Sequence, residues 1–224
     1  MHDTEGSEFD RLFYPFLFEG GKASIEDVLA QVRHSTLEKC SEVIALRRMT
    51  LENSIERIIA AGRAMARAFA EGGTLLAFGN GGSTTDAQDL VTDLLVPPFP
   101  RWVPLPAIAL TNDIAVVTAV GNDVGFENIY TRQVIAYGLR GDIALGISTS
   151  GNSTNVLQAL EQAKKQGLLT VGLTGYDGGK IMRLAAVDFC INSPSDHIPR
   201  IQEAQATAYH ALIEVIHSLM RPMS

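Results

Sequence analysis

The sequence predicts an α/β domain, a doubly wound parallel sheet flanked by helices with an N-terminal helical extension. Three observations carry that reading. From about residue 74 onward, short apolar runs alternate with amphipathic stretches of helical period. Several of the runs feed directly into loops rich in Gly, Ser and Thr. The chain ahead of them, from Ile25 to Glu71, carries only helical periodicity.

Taken in order, residues 1–24 mix charges with Phe9, Phe13, Tyr14, Pro15, Phe16 and Phe18 before Gly20-Gly21. So many aromatics fit a segment packed against this subunit or a neighbour, or else a recognition arm. Ile25–Glu71 reads as two helices. Ser24 is a candidate N-cap with Asp27 three residues on, and Ile25, Val28, Leu29 and Val32 recur at helical spacing. Ile55, Ile58, Ile59, Met65, Ala66 and Phe69 mark the second, which ends at Gly72-Gly73. Residues 1–45 are therefore expected to form an aromatic and helical extension used in packing, and 46–224 the α/β domain. Thr74–Phe78, Ala107–Leu110, Ile143–Ile147, Leu169–Leu173 and Phe189–Ile191 read as strands, with a further apolar stretch at Ile114–Val120. Helical patterns cover Asp86–Leu95, Ile129–Tyr137, Thr154–Gln166 and Ile201–Leu219. The segment Val96–Pro106 holds five prolines and the only tryptophan, Trp102, and is expected to be the flexible loop.

Composition narrows the function classes. With 46% hydrophobic and 19% charged residues in 224, the chain is globular, and its formal net charge is -7. That balance, with no basic run, speaks against direct nucleic-acid binding. It leaves room for a small phosphate held by backbone N–H groups and hydroxyls. Cys40 and Cys190 form no CxxC pattern, which fits a reducing cytoplasm. No run is long and apolar enough for a membrane span, and the N-terminus lacks a signal-peptide pattern, so a soluble cytoplasmic protein is expected.

Two loops could carry chemistry. Gly79-Asn80-Gly81-Gly82-Ser83-Thr84-Thr85-Asp86 lies between a strand and a helix. Its glycines admit a ligand close to the backbone, the helix start offers free N–H groups, and Ser83 and Thr84 add hydroxyls. It is neither a Walker A loop nor GxGxxG, and its spacing alone equally fits a tight turn with a helix cap. Ser148-Thr149-Ser150-Gly151-Asn152-Ser153 precedes the helix from Thr154. Four hydroxyls ahead of a helix N-terminus make a neutral phosphate cradle. A simple turn and cap would need one or two of them.

These loops, Gly79–Ser83 and Gly146–Ser153, resemble the two sugar-phosphate loops of the SIS (sugar isomerase) family. Gly121-Asn122-Asp123, Leu173-Thr174-Gly175 with Asp177-Gly178-Gly179, and Arg200-Ile201-Gln202-Glu203 are similar, in order, to its phosphoheptose isomerase branch. The likeness spans roughly residues 50–220. It implies that Asn80, Gly81, Gly82, Asn122, Asp123, Ser148, Thr149, Ser150, Ser153 and Gln202 contact a phosphorylated sugar. It also implies a homotetramer with sites shared between subunits, and no organic cofactor.

The resemblance also exposes a departure. Members of that branch carry a His and, four residues on, a Glu after the glycine loop, with a Gln and a His on the last helix. Many use the four to bind zinc. The matching residues here are Asp89, Asp93, Gln202 and His210. Such a set can hold zinc or another divalent metal, although harder than a His-containing one; it can equally be a solvated acidic face. Asp93 and His210 match the family's acid/base pair for an enediol isomerisation of sedoheptulose 7-phosphate or a related phosphosugar. The competing expectation is a non-catalytic SIS regulator that binds a protein such as the replication initiator DnaA, which Leu173–Gly179 with Tyr176 also resembles.

Overall fold

A computed structural model describes residues 25–220 of the chain. The aromatic segment and the Ser24 cap lie outside the described residues, as do residues 221–224. The chain divides into two units between Ser41 and Glu42. The described residues of the first are helical, with Ile25, Leu29 and Val32 exposed.

One helix, α1, spans Ile25–Ala70, where two were expected. No Gly or Pro occurs between residues 25 and 61, so nothing interrupts the backbone hydrogen-bond ladder. In the second unit α1 buries Leu46, Ile58, Met65 and Phe69.

The sheet comprises β1 (Leu75–Gly79), β2 (Ala107–Ala109), β3 (Ile143–Ser148), β4 (Leu169–Gly175) and β5 (Phe189–Ser193). All pairings are parallel and the order is β2-β1-β3-β4-β5. Around it lie α2 (Gly82–Leu95), α3 (Ile114–Asp123), a 3₁₀ turn (Phe126–Asn128), α4 (Ile129–Tyr137), α5 (Thr154–Gln166), α6 (Gly179–Arg183) and α7 (Ile198–Leu219).

Alternation along the strands divides the core between two faces. Leu75, Ala77, Ile143, Leu145 and Ile147 pack beneath α1, α2 and α7, through Ile58, Leu90, Leu94 and Leu212. Leu76, Phe78 and Ala144 pack on the other side against Tyr130, Val134, Val156 and Leu160 of α4 and α5. Every residue of β1 and β3 is buried, the reason their sequences read as continuous apolar runs.

The apolar stretch at Ile114 forms a helix. Asp113 caps it by accepting the Val116 N–H at 3.1 Å, and none of its residues is buried. The proline-rich segment is anchored: Trp102 stacks on the buried His217 at 4.4 Å and meets Phe99 edge-on at 4.8 Å. No helix among the described residues is long and apolar enough to cross a membrane.

Asp188 ties the turn before β5 to β4. Burial alone would raise its carboxyl, but the Lys164 ammonium and the Thr170 N–H and hydroxyl, each 3.0 Å from Oδ2, hold it below the usual range. With the folded value below the unfolded one near 3.9, this stabilisation is full above that pH and is lost as pH falls through the folded value. Asp188→Asn should cost about 1 kcal/mol at pH 7. In urea melts the gap to wild type should begin to close below about pH 4.

Candidate active site

The strand order reverses between β1 and β3: β2 lies on one side of β1, and β3 returns on the other. Ligands of open α/β sheets settle beyond the strand ends at such a switch point. Both sequence-marked loops leave the sheet there.

β1 ends at Gly79, and Asn80-Gly81 turns the chain into α2, with Gly81 at φ +56°. The Ser83 and Thr84 N–H groups donate to the Asn80 and Gly81 carbonyls at 3.0 Å, and Ser83 is buried. β3 ends at Ser148, whose hydroxyl meets that of Ser153 at 2.9 Å, closing the loop on itself. Within it Ser150 Oγ accepts the Asn152 N–H, and the Asn152 amide donates to the Ser150 carbonyl at 2.9 Å. Gly151 takes φ +63°, and a Cβ there would stand 2.2 Å from the Gly178 carbonyl.

A reciprocal amide pair joins the two loops. Asn80 donates to Asn155 at 2.8 Å, and Asn155 returns the bond at 2.9 Å. Tyr130 supports the pair from below: its hydroxyl donates to the Gly79 carbonyl and lies 3.1 Å from Asn80 Oδ1. Burial pushes the Tyr130 phenol up to about 12, so it stays a donor. The cavity above, about 560 Å³, is lined by Asn80, Asn152, Ser153, Thr154 and Asn155, with Phe126 and Glu127 at its side. Asn122 and Asp123 lie outside that lining, exposed at the end of α3 and bonded to each other at 2.8 Å.

A second cluster lies farther along α2. His210 Nε2 on α7 is 3.3 Å from Asp93 Oδ2 and 3.6 Å from Asp89 Oδ2. One ligand atom from each of the three residues lies within 4.8 Å of the others. Burial raises the Asp93 carboxyl, the neighbouring Asp89 adds to the rise, and His210 opposes it. Asp93 and His210 open into a cavity of about 960 Å³, walled by Phe99, Arg101, Trp102 and Glu214. A Cβ on Gly82 would lie 1.8 Å from the Gln202 Nε2, which seats Gln202 beside the glycine loop. It is eight residues from His210 on α7, about 12 Å along the axis.

The region matching the SIS domain model covers residues 40–175. The chain belongs to the SIS domain family. The phosphoheptose isomerase of Aquifex aeolicus (strain VF5) is 42% identical over 165 residues, 74% of this chain and 85% of the relative. That of Geotalea daltonii is 46% identical over 160 residues, 71% and 82% of the two chains. Among solved structures, phosphoheptose isomerase GmhA from Neisseria gonorrhoeae superposes with a TM-score of 0.77 at 34% identity, covering 84% of this chain and 99% of that one.

Two carboxylates and an imidazole at this separation suit a divalent cation as a donor set. In this SIS domain Asp89, Asp93 and His210 would hold it, with Gln202 on α7 as the fourth candidate ligand. Three neighbours escaped the sequence reading. Asp86 precedes Asp89 by three residues on the same helix face, and burial, then Asp89, raises it to about 6. The spacing Asp86, Asp89, Asp93 was the available signal. Asn155 follows the hydroxyl run directly. Tyr209, beside His210, donates to Asp89 Oδ2 at 2.6 Å.

Gly81 and Gly151, both at positive φ, separate conformational strain from contact. Around Gly81 a Cβ meets nothing within 4 Å, whereas at Gly151 it meets backbone. Gly81→Ala should cost on the order of 1–3 kcal/mol from backbone conformation alone, since φ +56° with ψ −124° lies outside the left-handed helical well. Gly151→Ala should cost at least about 1 kcal/mol more, since the Gly178 carbonyl must also move. Urea denaturation of the two variants checks the difference.

Proposed function

We propose that this SIS protein is a ketose–aldose phosphate isomerase acting on sedoheptulose 7-phosphate or a related phosphosugar. The observation that carries the reading is the carboxylate–imidazole pair, Asp93 and His210 at 3.3 Å, in a cavity wide enough for a sugar. A regulator without catalysis has no need of that pair. The isomerase name of relatives above 40% identity supports it.

Asp93 takes a proton from C1 of the open-chain ketose while His210 delivers one to the C2 carbonyl oxygen, giving the enediol. The C1 hydroxyl then loses its proton, C2 receives one, and the aldose results with no net redox change. His suits the oxygen-side transfer because its ordinary pKa is near neutral, and the raised Asp93 is a stronger base than a free carboxylate. Zinc or another divalent metal held by Asp89, Asp93 and His210 would polarise the carbonyl in place of the His210 proton, since a metal-bound imidazole nitrogen has none to give. No organic cofactor enters these steps. Ser148, Thr149, Ser150 and Ser153 hold the phosphate with Asn80, Gly81, Gly82 and Ser83, and Gln202 reaches the substrate beside Gly82. Asn122 and Asp123 complete the set from the end of α3.

The site is shared between subunits of a homotetramer. Gly82 and Asp93 are eleven residues apart on α2, about 16 Å at 1.5 Å per residue. An extended seven-carbon phosphate spans roughly 10 Å at ordinary bond lengths. The cradle of one chain therefore serves the acid/base pair of another. Self-association also fits α3, an apolar helix with no buried residue and with Ile114 exposed. Two free cysteines fit the cytoplasm.

Phosphosugars incubated with the protein in heavy water should gain deuterium at C1 or C2, and Asp93→Asn should slow that exchange at least about 100-fold. Absence of exchange with every phosphosugar tried would sink the isomerase reading. Sharing has its own test. Asp93→Asn and the double variant Ser150→Ala, Ser153→Ala should each be nearly inactive alone yet regain activity when co-assembled, because some interfaces then carry no substitution. Mixed oligomers that stay inactive would confine the site to one chain.

A further inference from the structure

Asp89 sits on the half-exposed rim of the acid cluster, where a carboxylate ordinarily moves among rotamers. Here it is tethered from the interior. Tyr209 is 2% exposed, with its ring in the core beneath α2 and α7, and its one polar side-chain atom emerges at the cluster. That hydroxyl donates to Asp89 Oδ2 at 2.6 Å, a short charge-assisted bond. The same ring lies 4.6 Å from the His210 imidazole, tilted by 56°. Tyr209 thus touches both the carboxylate and the imidazole, and His210 Nε2 lies between Asp89 and Asp93.

We propose that Tyr209 is a positioning residue, whose buried hydroxyl fixes Asp89 against His210 and so sets the geometry of the Asp93–His210 pair and of any cation held there. The catalytic part rests on the isomerase reading above; the tether itself does not. A phenol locked by core packing has little freedom, so it can hold a half-exposed carboxylate where solvent cannot. Partners that orient ligands from behind ordinarily matter 10- to 100-fold in affinity or activity.

Tyr209→Phe keeps the ring and removes the hydroxyl. In the full-length protein it should lower kcat about 10- to 100-fold with KM and the urea midpoint near wild type. Zinc titrated calorimetrically into the sugar-free protein should bind weaker by a similar factor. Asp89→Ala removes the acceptor from the surface side and should reproduce both losses, even if the core variant folds poorly. In the Asp89→Ala background, Tyr209→Phe should add nothing. Wild-type kcat and zinc affinity in Tyr209→Phe, or an equal loss in the Asp89→Ala background, overturn the proposal. A wild-type protein that binds zinc but turns over no phosphosugar sinks the isomerase reading alone, and the zinc cycle then decides the tether. A protein with neither property overturns both.

Discussion

The amide pair between Asn80 and Asn155 is the constraint on which the shape of the proposed phosphate cradle depends. It spans the strand reversal, where β1 and β3 are neighbours in the sheet but their loops diverge toward α2 and α5. Separating two part-buried amides paired in this way strands an N–H on each, and an unpaired buried polar group costs on the order of 1–3 kcal/mol. The Tyr130 hydroxyl occupies the remaining space beneath them, and the Val156 N–H donates to Asn155 Oδ1 at 2.9 Å. The cradle is therefore held in shape by bonds the phosphate does not have to supply. Preorganisation of this kind lowers the ordering cost of binding a small anion.

α2 couples that cradle to the acid cluster. Its N-terminus opens at the glycine loop, while Asp86, Asp89 and Asp93 descend one face toward α7. Three like charges on one face repel, and the strain is visible in Asp86, raised to about 6 by burial and by Asp89. Asp86 Oδ2 is buried without a hydrogen-bond partner. His210 and the Tyr209 hydroxyl are the groups on α7 that offset this charge, and a cation would offset it further. An arrangement that concentrates unfavourable charge at a cavity wall suits chemistry better than stability.

Much of this was legible because the physics was local. β3 and α5 follow from a charge-free run, a hydroxyl loop and a strong helical period, and α4 was bounded correctly by its periodicity alone. What was not legible depended on distance in sequence. Ile114–Val120 has no polar alternation to mark it as a helix, and only the Asp113 cap distinguishes it from a buried strand. The proline-rich segment looks free until Trp102 finds His217, 115 positions later. Asn80 reads only as a ligand contact, and its pairing with Asn155, 75 positions later, has no local signal in the sequence. Tyr209 was hidden because a tyrosine among Ala208 and Leu212 on a helix reads as core, which its ring is; its hydroxyl alone belongs to the site.

The two departures from the phosphoheptose isomerase pattern then acquire a physical meaning. Replacing Glu by Asp at position 93 withdraws the carboxylate by one methylene, and a displacement of about 1 Å can cost on the order of 100-fold in rate. Yet Asp93 still reaches His210 at 3.3 Å, so the pair itself is intact. Asp93 lines the same cavity as Phe99, Arg101 and Trp102, so the shorter side chain leaves that space to the substrate side. Asp89, in place of a His, is likewise shorter and would be loose on an exposed face were it not held by Tyr209. On the isomerase reading proposed above, a carboxylate withdrawn toward α2 would suit a phosphosugar whose reacting carbons come closer to that helix, with the same enediol chemistry.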